Sequence, residues 1–115
     1  MNDRIIIRGL QVAATVGVPD AERTSPQRLE IDLVLEGDFR ELGDDVARTT
    51  DYAAVAAWVR VRCNEREFRL LETLAEDLAD GVLAEFPRVA AVGVEIRKFV
   101  LPEVGSVGVG IRRER

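Results

Sequence analysis

The sequence predicts an α+β fold in which a four-stranded antiparallel sheet carries two helices on one face. Two segments with the alternation of strands begin the chain, two segments with helical periodicity follow, and two more strand-like segments end it. In the resulting order ββααββ, both helices can cover the same face of the sheet. The other face and two strand edges must be paired or covered, so we expect the chain to self-associate.

The first two strands are predicted from two-residue periodicity. The first covers residues 4–16, with Arg8 on the parity of its apolar side chains, and ends at a turn-forming Gly-Val-Pro-Asp sequence. The second is clearer, because every second residue of 29–35 is aliphatic and most of the residues between them are charged. This strand should bury one face only.

Two helices follow an irregular, Gly-rich stretch. The residues Thr49-Thr50-Asp51 are candidates for the cap of the first helix, which should begin near Tyr52. Its apolar stripe is Tyr52, Val55, Ala56, Val59 and Cys63, and that of the second helix is Leu71, Leu74, Ala75, Leu78 and Val82. Phe86-Pro87 should end the second helix. We expect the helices to pack antiparallel, with Tyr52, Trp58 and Cys63 in the packed interior.

The last two strands are predicted over residues 89–100 and 106–113. In the former, Lys98 has the parity of Val92, Val94 and Ile96, so its side chain should extend the apolar face. Desolvation disfavours a charged amine, which makes Lys98 a candidate general base, although lysines at strand ends often reach water instead. It is also the only lysine among sixteen basic residues, whereas surface charge could be served equally well by arginine.

Composition limits the classes of function. With 115 residues, 47% of them hydrophobic and 32% charged, we expect one globular domain over residues 1–115. A net charge of −5 and six aromatic residues argue against a nucleic-acid partner. The sequence contains no apolar run long enough to predict a signal peptide or a membrane span, so we expect a cytoplasmic protein. Because histidine is absent and there is one cysteine, we expect neither a metal nor another cofactor.

Two acidic residues are further candidates. Glu72 lies in the first turn of the second helix, where a carboxylate and free helix N–H groups could bind a flat heterocycle that resembles guanine or a pterin. Glu22 lies in the irregular segment between the first two strands, where functional side chains are common. Each residue taken alone is more often structural or solvated.

Taken together, four short motifs resemble the dihydroneopterin aldolase family. They are Gly17-Val18 with Glu22-Arg23, then Asp51-Tyr52, then Leu70-Leu71-Glu72 with Leu74-Ala75-Glu76, and finally Glu95-Ile96-Arg97-Lys98. The resemblance extends over nearly the whole chain. It departs from the usual pattern in having Phe99 directly after the lysine, where proline is common.

The resemblance implies the tunnelling fold, in which four subunits join their sheets into a barrel and two rings stack into an octamer. It implies cleavage of 7,8-dihydroneopterin, at sites between subunits, without metal or lysine imine. Glu72 and the backbone of Leu71 would anchor the pterin, and Val18 and Tyr52 would line its ring from an adjacent chain. Lys98, Glu22 and Tyr52 would surround the side chain that is cleaved.

Two alternatives stay open at this point. Dihydroneopterin triphosphate epimerases share the layout, and Arg112, Arg113 and Arg115 are candidate phosphate contacts. A catalytically silent pterin-binding module that forms rings is the other alternative. Zinc-dependent members of the fold are excluded, because the chain lacks their ligands.

Overall fold

The computed structural model describes residues 3–115 and confirms the predicted order of elements. The strands are β1 (Asp3–Ala14), β2 (Gln27–Gly37), β3 (Ala91–Lys98) and β4 (Val107–Glu114), and the helices are α1 (Tyr52–Cys63) and α2 (Leu71–Glu85). The strands form one antiparallel sheet in the order β1-β2-β3-β4. None of the helices formed by residues 3–115 has the length and apolar character needed to cross a membrane.

An apolar core fills the space between the sheet and the helices. The alternation in β2 buries four aliphatic side chains on the helix side, Leu29, Ile31, Leu33 and Leu35. The matching residues of β3, together with the predicted stripes of both helices from Val55 onward, complete the core. The sequence therefore identifies which face of each central strand is buried.

The predicted face of Arg8 is wrong, because a β-bulge changes the alternation of β1. Ile7 pairs with Leu33 and Leu10 pairs with Ile31, so Arg8 and Gly9 together oppose a single residue of β2, Asp32. Gly9 has a φ of 68°, a left-handed conformation that glycine adopts without strain. The extra residue turns the Arg8 side chain to the exposed face of the sheet.

The helices are antiparallel, as predicted. Arg62 near the end of α1 donates two hydrogen bonds to Asp77 of α2, at 2.7 and 2.9 Å. Trp58 packs directly on Gly81, where a Cβ atom would lie only 2.1 Å from the indole ring. Cys63 is fully buried, and this burial raises the pKa of its thiol to about 12, which makes it an unreactive packing residue. The packing interpretation of Trp58 and Cys63 is therefore confirmed.

The sheet face opposite the helices carries ion pairs. Arg97 donates hydrogen bonds of 2.9 and 3.0 Å to the two oxygens of Asp32, and the backbone N–H of Gly9 donates a third of 2.7 Å. The hydrogen bonds from Arg97 are the main reason that the pKa of Asp32 falls to about 2. Asp32 therefore links β3 to the bulge of β1.

Replacing Asp32 by asparagine should destabilise the fold in a manner that depends on pH. The carboxylate has a lowered pKa in the folded state, so its contribution is complete above the unfolded value near 4 and disappears as the pH falls towards about 2. The shift corresponds to roughly 2 kcal/mol. Denaturant unfolding of the wild type and Asp32→Asn across this range should show the difference in free energy shrinking with acidification. Asp38→Asn is the control: hydrogen bonds from Arg40 also lower the pKa of Asp38, but this pair lies on an exposed loop where solvent screens it. Its effect on the free energy of unfolding should therefore be much smaller, and an equal effect of both substitutions would contradict this account.

Candidate active site

Lys98 lies at the end of β3, on the helix-facing side of the sheet. Its strand neighbours are Leu29 of β2 and Val107 of β4. The side chain is 13% exposed, and its Nζ atom donates a hydrogen bond of 3.1 Å to Oε2 of Glu22. The amine thus occupies the predicted face, but its closest polar neighbour is a carboxylate. The two residues are 76 positions apart in the chain, and only the tertiary fold brings them together.

The loop that carries Glu22 is held by an arginine. Arg23 donates hydrogen bonds of 2.7 and 2.9 Å to the carbonyls of Gly17 and Val18, and it also pairs with Asp20. Its side chain is largely buried at 14% exposure. These contacts fold the turn of residues 17–23 back on itself and present Glu22 to Lys98.

Gly17 is required by the close approach of Glu22. A Cβ atom at position 17 would lie 2.4 Å from Cβ of Glu22 and 2.8 Å from its Cδ. No side chain fits there without displacement of the Glu22 carboxylate. The Gly17-Val18 motif therefore has a steric role in the geometry of the lysine–glutamate pair.

Gly17→Ala should consequently lower turnover while the protein stays folded. The added methyl group moves Glu22 away from Lys98, and misplacement of a reacting group by about 1 Å can cost roughly 100-fold in rate. The measurement is kcat together with the thermal unfolding temperature. Gly105→Ala is a matched control, because a Cβ atom there meets no atom within 4 Å. Full turnover in folded Gly17→Ala would show that the placement of Glu22 is unimportant.

The start of α2 reaches the same end of the sheet. Phe68, in the loop before α2, forms a bridge with Val16, and its carbonyl accepts a hydrogen bond of 3.0 Å from the N–H of Gly17. Leu70 precedes the helix and has no polar side chain that could cap it. Among residues 3–115, no side chain caps the first N–H groups of α2, whereas Asp51 caps α1 through two hydrogen bonds.

The side chains of the first turn of α2 differ in exposure. Leu71 is buried, at 6% exposure, and contributes its side chain to the core. Glu72, the next residue, is exposed. A carboxylate beside uncapped helix N–H groups offers both acceptors and donors to a planar ligand.

Tyr52 does not join this group within one protomer. The expectation that it packs in the core is wrong, because its side chain is 63% exposed. It borders a groove together with Ile5, which pairs with Leu35, whereas Lys98 pairs with Leu29. The stretch of β2 between these two pairs spans roughly 20 Å at about 3.3 Å per residue. As the first residue of α1, Tyr52 lies at the opposite end of the sheet.

Val18 is 63% exposed and lies on the Glu22 loop, at the Lys98 end. It is therefore separated from Tyr52 along the same protomer. If an adjacent chain supplies Tyr52 to the site, the Val18 residue of that adjacent chain lies at the opposite end of the adjacent chain, away from the same site. The structure groups Val18 with Glu22 and Lys98 and leaves Tyr52 apart from all three.

Gln27 is a polar neighbour that the sequence reasoning missed. It donates a hydrogen bond of 2.8 Å to the carbonyl of Glu22, and its Nε2 atom lies 3.5 Å from Oε2 of the same residue. The signal was available, because Gln27 has the parity of Leu29 and the other buried residues of β2, as Lys98 does in β3. At both Gln27 and Lys98, a polar residue extends a strand face that is otherwise buried.

The C-terminal arginines are engaged by different partners. Arg112 donates to Glu36 and Glu114, and Arg113 contacts Glu76 on the opposite side of the strand. Arg115 donates to backbone carbonyls. Since the three point to different partners, they give no support to a triphosphate substrate.

The fold and the site define a protein of the tunnelling-fold class, with a partly buried lysine–glutamate pair next to an uncapped helix start. A family model described as dihydroneopterin aldolase matches residues 5–112. The chain belongs to the dihydroneopterin aldolase family, whose members are lyases of folate biosynthesis.

Individual relatives agree with the family model. A dihydroneopterin aldolase of Methylorubrum extorquens is 40% identical over 104 residues, which cover 89% of this chain and 80% of the relative. One from Escherichia coli K12 is 37% identical over 73% of this chain and 70% of its own length. The crystal structure of E. coli dihydroneopterin aldolase in complex with neopterin superimposes with a TM-score of 0.91 at 34% identity, covering 96% and 98% of the two chains.

Proposed function

We propose that this chain cleaves 7,8-dihydroneopterin into 6-hydroxymethyl-7,8-dihydropterin and glycolaldehyde, at sites completed by a neighbouring subunit. The observation that carries the mechanism is the 3.1 Å contact between Nζ of Lys98 and Oε2 of Glu22. The pair lies at the sheet end where the uncapped first turn of α2 is also found. Family membership supports the substrate class, and the neopterin complex of the E. coli relative supports a pterin ligand.

The pterin ring would be anchored at the start of α2. The exposed carboxylate of Glu72 would accept hydrogen bonds from the amino group and a ring N–H of the pterin. The backbone N–H of Leu71 would donate to the ring carbonyl, as its position in the uncapped first turn permits. This arrangement binds substrate and product equally well, so it sets affinity and orientation.

Lys98 would serve as the base for the side chain. Glu22 positions the Lys98 amine across their short contact, and the amine acts in its neutral form. The amine, directly or through a water held by Glu22 and Tyr52, then removes the proton of the side-chain hydroxyl. As the hydroxyl oxygen becomes the aldehyde carbonyl of glycolaldehyde, the electrons of the broken carbon–carbon bond move into the C=N bond of the ring. A proton returned to the remaining carbon completes the product.

The route proposed needs neither a metal nor a lysine imine. The substrate already contains the C=N bond that accepts electrons, and the chain has no histidine and a single, fully buried cysteine. Because Lys98 is the only lysine, imine formation is directly testable. Borohydride added during turnover should leave the mass of the protein unchanged and turnover should survive a chelator. A reduced adduct on Lys98 would contradict the route.

A neighbouring chain would supply Tyr52. The span of roughly 20 Å along β2 between the Tyr52 end and the Lys98 end supports a site to which two chains contribute. A ring of four, or two stacked rings, brings opposite ends of adjacent protomers together. We also place Val18 beside Glu22 of its own protomer, in contrast to the arrangement that the resemblance implied.

Product analysis tests the function. Purified protein incubated with 7,8-dihydroneopterin should release glycolaldehyde and the hydroxymethyl pterin in equal amounts. With dihydroneopterin triphosphate we expect no epimer, because the C-terminal arginines are already engaged. Pterin binding without glycolaldehyde release would instead indicate a silent binding module.

A further inference from the structure

We propose that Gln27 is a positioning residue for the reaction, acting through Glu22. The inference rests on the proposed function, since it concerns the same lysine–glutamate pair. Gln27 and Lys98 share the helix-facing side of the sheet, on adjacent strands, because Lys98 pairs with Leu29, two residues beyond Gln27. Such diagonal positions lie about 7–8 Å apart, which leaves room for one carboxylate between them. Glu22 occupies that place.

The contacts of Nε2 fix the orientation of the Gln27 amide. Both of its neighbours, the carbonyl and the Oε2 atom of Glu22, are acceptors, so the nitrogen must face them. The first contact holds the backbone of the loop, and the second, longer contact holds the carboxylate. Gln27 and Lys98 thereby contact the same oxygen of Glu22, Oε2, and together restrain it.

The oxygen of the Gln27 amide, Oε1, does not stabilise the fold. Oε1 of Gln27 is buried and has no hydrogen-bond donor among residues 3–115. A buried acceptor without a partner typically costs about 1–3 kcal/mol. An apolar side chain of the same length would avoid this cost, which argues that the glutamine is present for the position of Glu22 and not for stability.

Gln27→Met separates the two roles, because methionine has a similar length and lacks the amide. We expect kcat to fall about tenfold through the loss of the hydrogen bonds to Glu22, whereas KM should stay within about twofold because Glu72 anchors the ring elsewhere. The thermal unfolding temperature should change little. Gln11→Met is the matched control: Gln11 is the only other glutamine, and it is exposed on β1.

A double-mutant cycle shows whether Gln27 acts through Glu22. In a Glu22→Ala background, Gln27→Met should lower kcat by less than about twofold, since no carboxylate remains to be positioned. The same tenfold loss in both backgrounds would overturn the proposal, as would an unchanged kcat in Gln27→Met alone.

Should methionine prevent folding, Gln27→Glu provides the second test: it keeps the length and places an anion against Oε2, so kcat should again fall. The two failures are distinguishable. An inactive wild-type protein would refute the proposed function, whereas an active wild-type protein with unaffected Gln27 variants would refute only the role of Gln27.

Discussion

Lys98→Ala should bind the pterin with nearly unchanged affinity and turn it over about 100- to 10,000-fold more slowly. The binding contacts lie at Glu72, whereas the proton transfer depends on the amine, and general base catalysis typically contributes that range. The measurements are single-turnover rates of glycolaldehyde release and a pterin titration of the same variant. Near-normal turnover in Lys98→Ala would remove Lys98 as the base.

Lys98→Arg distinguishes a role of Lys98 as a general base from a role of its positive charge. Arginine can keep the ion pair with Glu22, but its guanidinium group does not release a proton under ordinary conditions. Its turnover should therefore be as low as that of the alanine variant, while its stability should be closer to wild type. Recovery of activity with arginine would show that positive charge alone is sufficient.

Glu72→Ala should weaken pterin binding by about 100-fold or more. Two hydrogen bonds to a charged carboxylate are lost, each contributing about 1.5–3 kcal/mol where solvent is excluded. Because the ring is then poorly held, KM rises more than kcat falls at saturating substrate. Calorimetric or fluorescence titration with neopterin measures the effect.

Glu76→Ala is the matched control for this prediction. Glu76 lies one turn further along α2, is exposed, and pairs with Arg113 at 3.3 Å. It carries the same charge on the same helix, so its loss should leave the affinity for neopterin within about twofold. Equal losses in both variants would indicate a general electrostatic effect and not a binding site at Glu72.

Local patterns predicted much of the fold. Strict alternation identified the buried face of β2, and helical stripes located both helices to within a residue or two. The same parity placed Lys98 on the helix-facing side of β3. These predictions succeeded because burial of one face imposes a fixed period on the sequence.

The errors have local physical causes. Arg8 was assigned to the wrong face because a single extra residue at Gly9 reverses the alternation, and a bulge gives little signal in a single sequence. Tyr52 continues the stripe of α1, but it is the first residue of the helix and lies beyond the core. Helical periodicity identifies which face of a helix is apolar, but it does not show where the sheet packed against that face ends. The predicted first and third strands were also longer than β1 and β3, since Val16 forms only an isolated bridge.

The site itself depended on contacts that are distant in sequence. No local pattern indicates that Glu22 meets Lys98, or that Gln27 and Arg23 hold the loop between them. Family resemblance selected the residues, and the fold then showed which share one end of a protomer. The placement of Tyr52 at the other end is what makes the subunit interface central to the proposed mechanism.

Mixing two defective chains tests this account most directly. Lys98→Ala and Tyr52→Phe chains with different tags would be produced together, and assemblies that contain both would be purified. Each parent alone should be nearly inactive, but in randomly mixed rings about a quarter of the sites combine an intact Lys98 with an intact Tyr52 from the neighbour. We predict recovery of about a quarter of wild-type turnover. Mixed assemblies no more active than their parents would contradict a site shared between subunits.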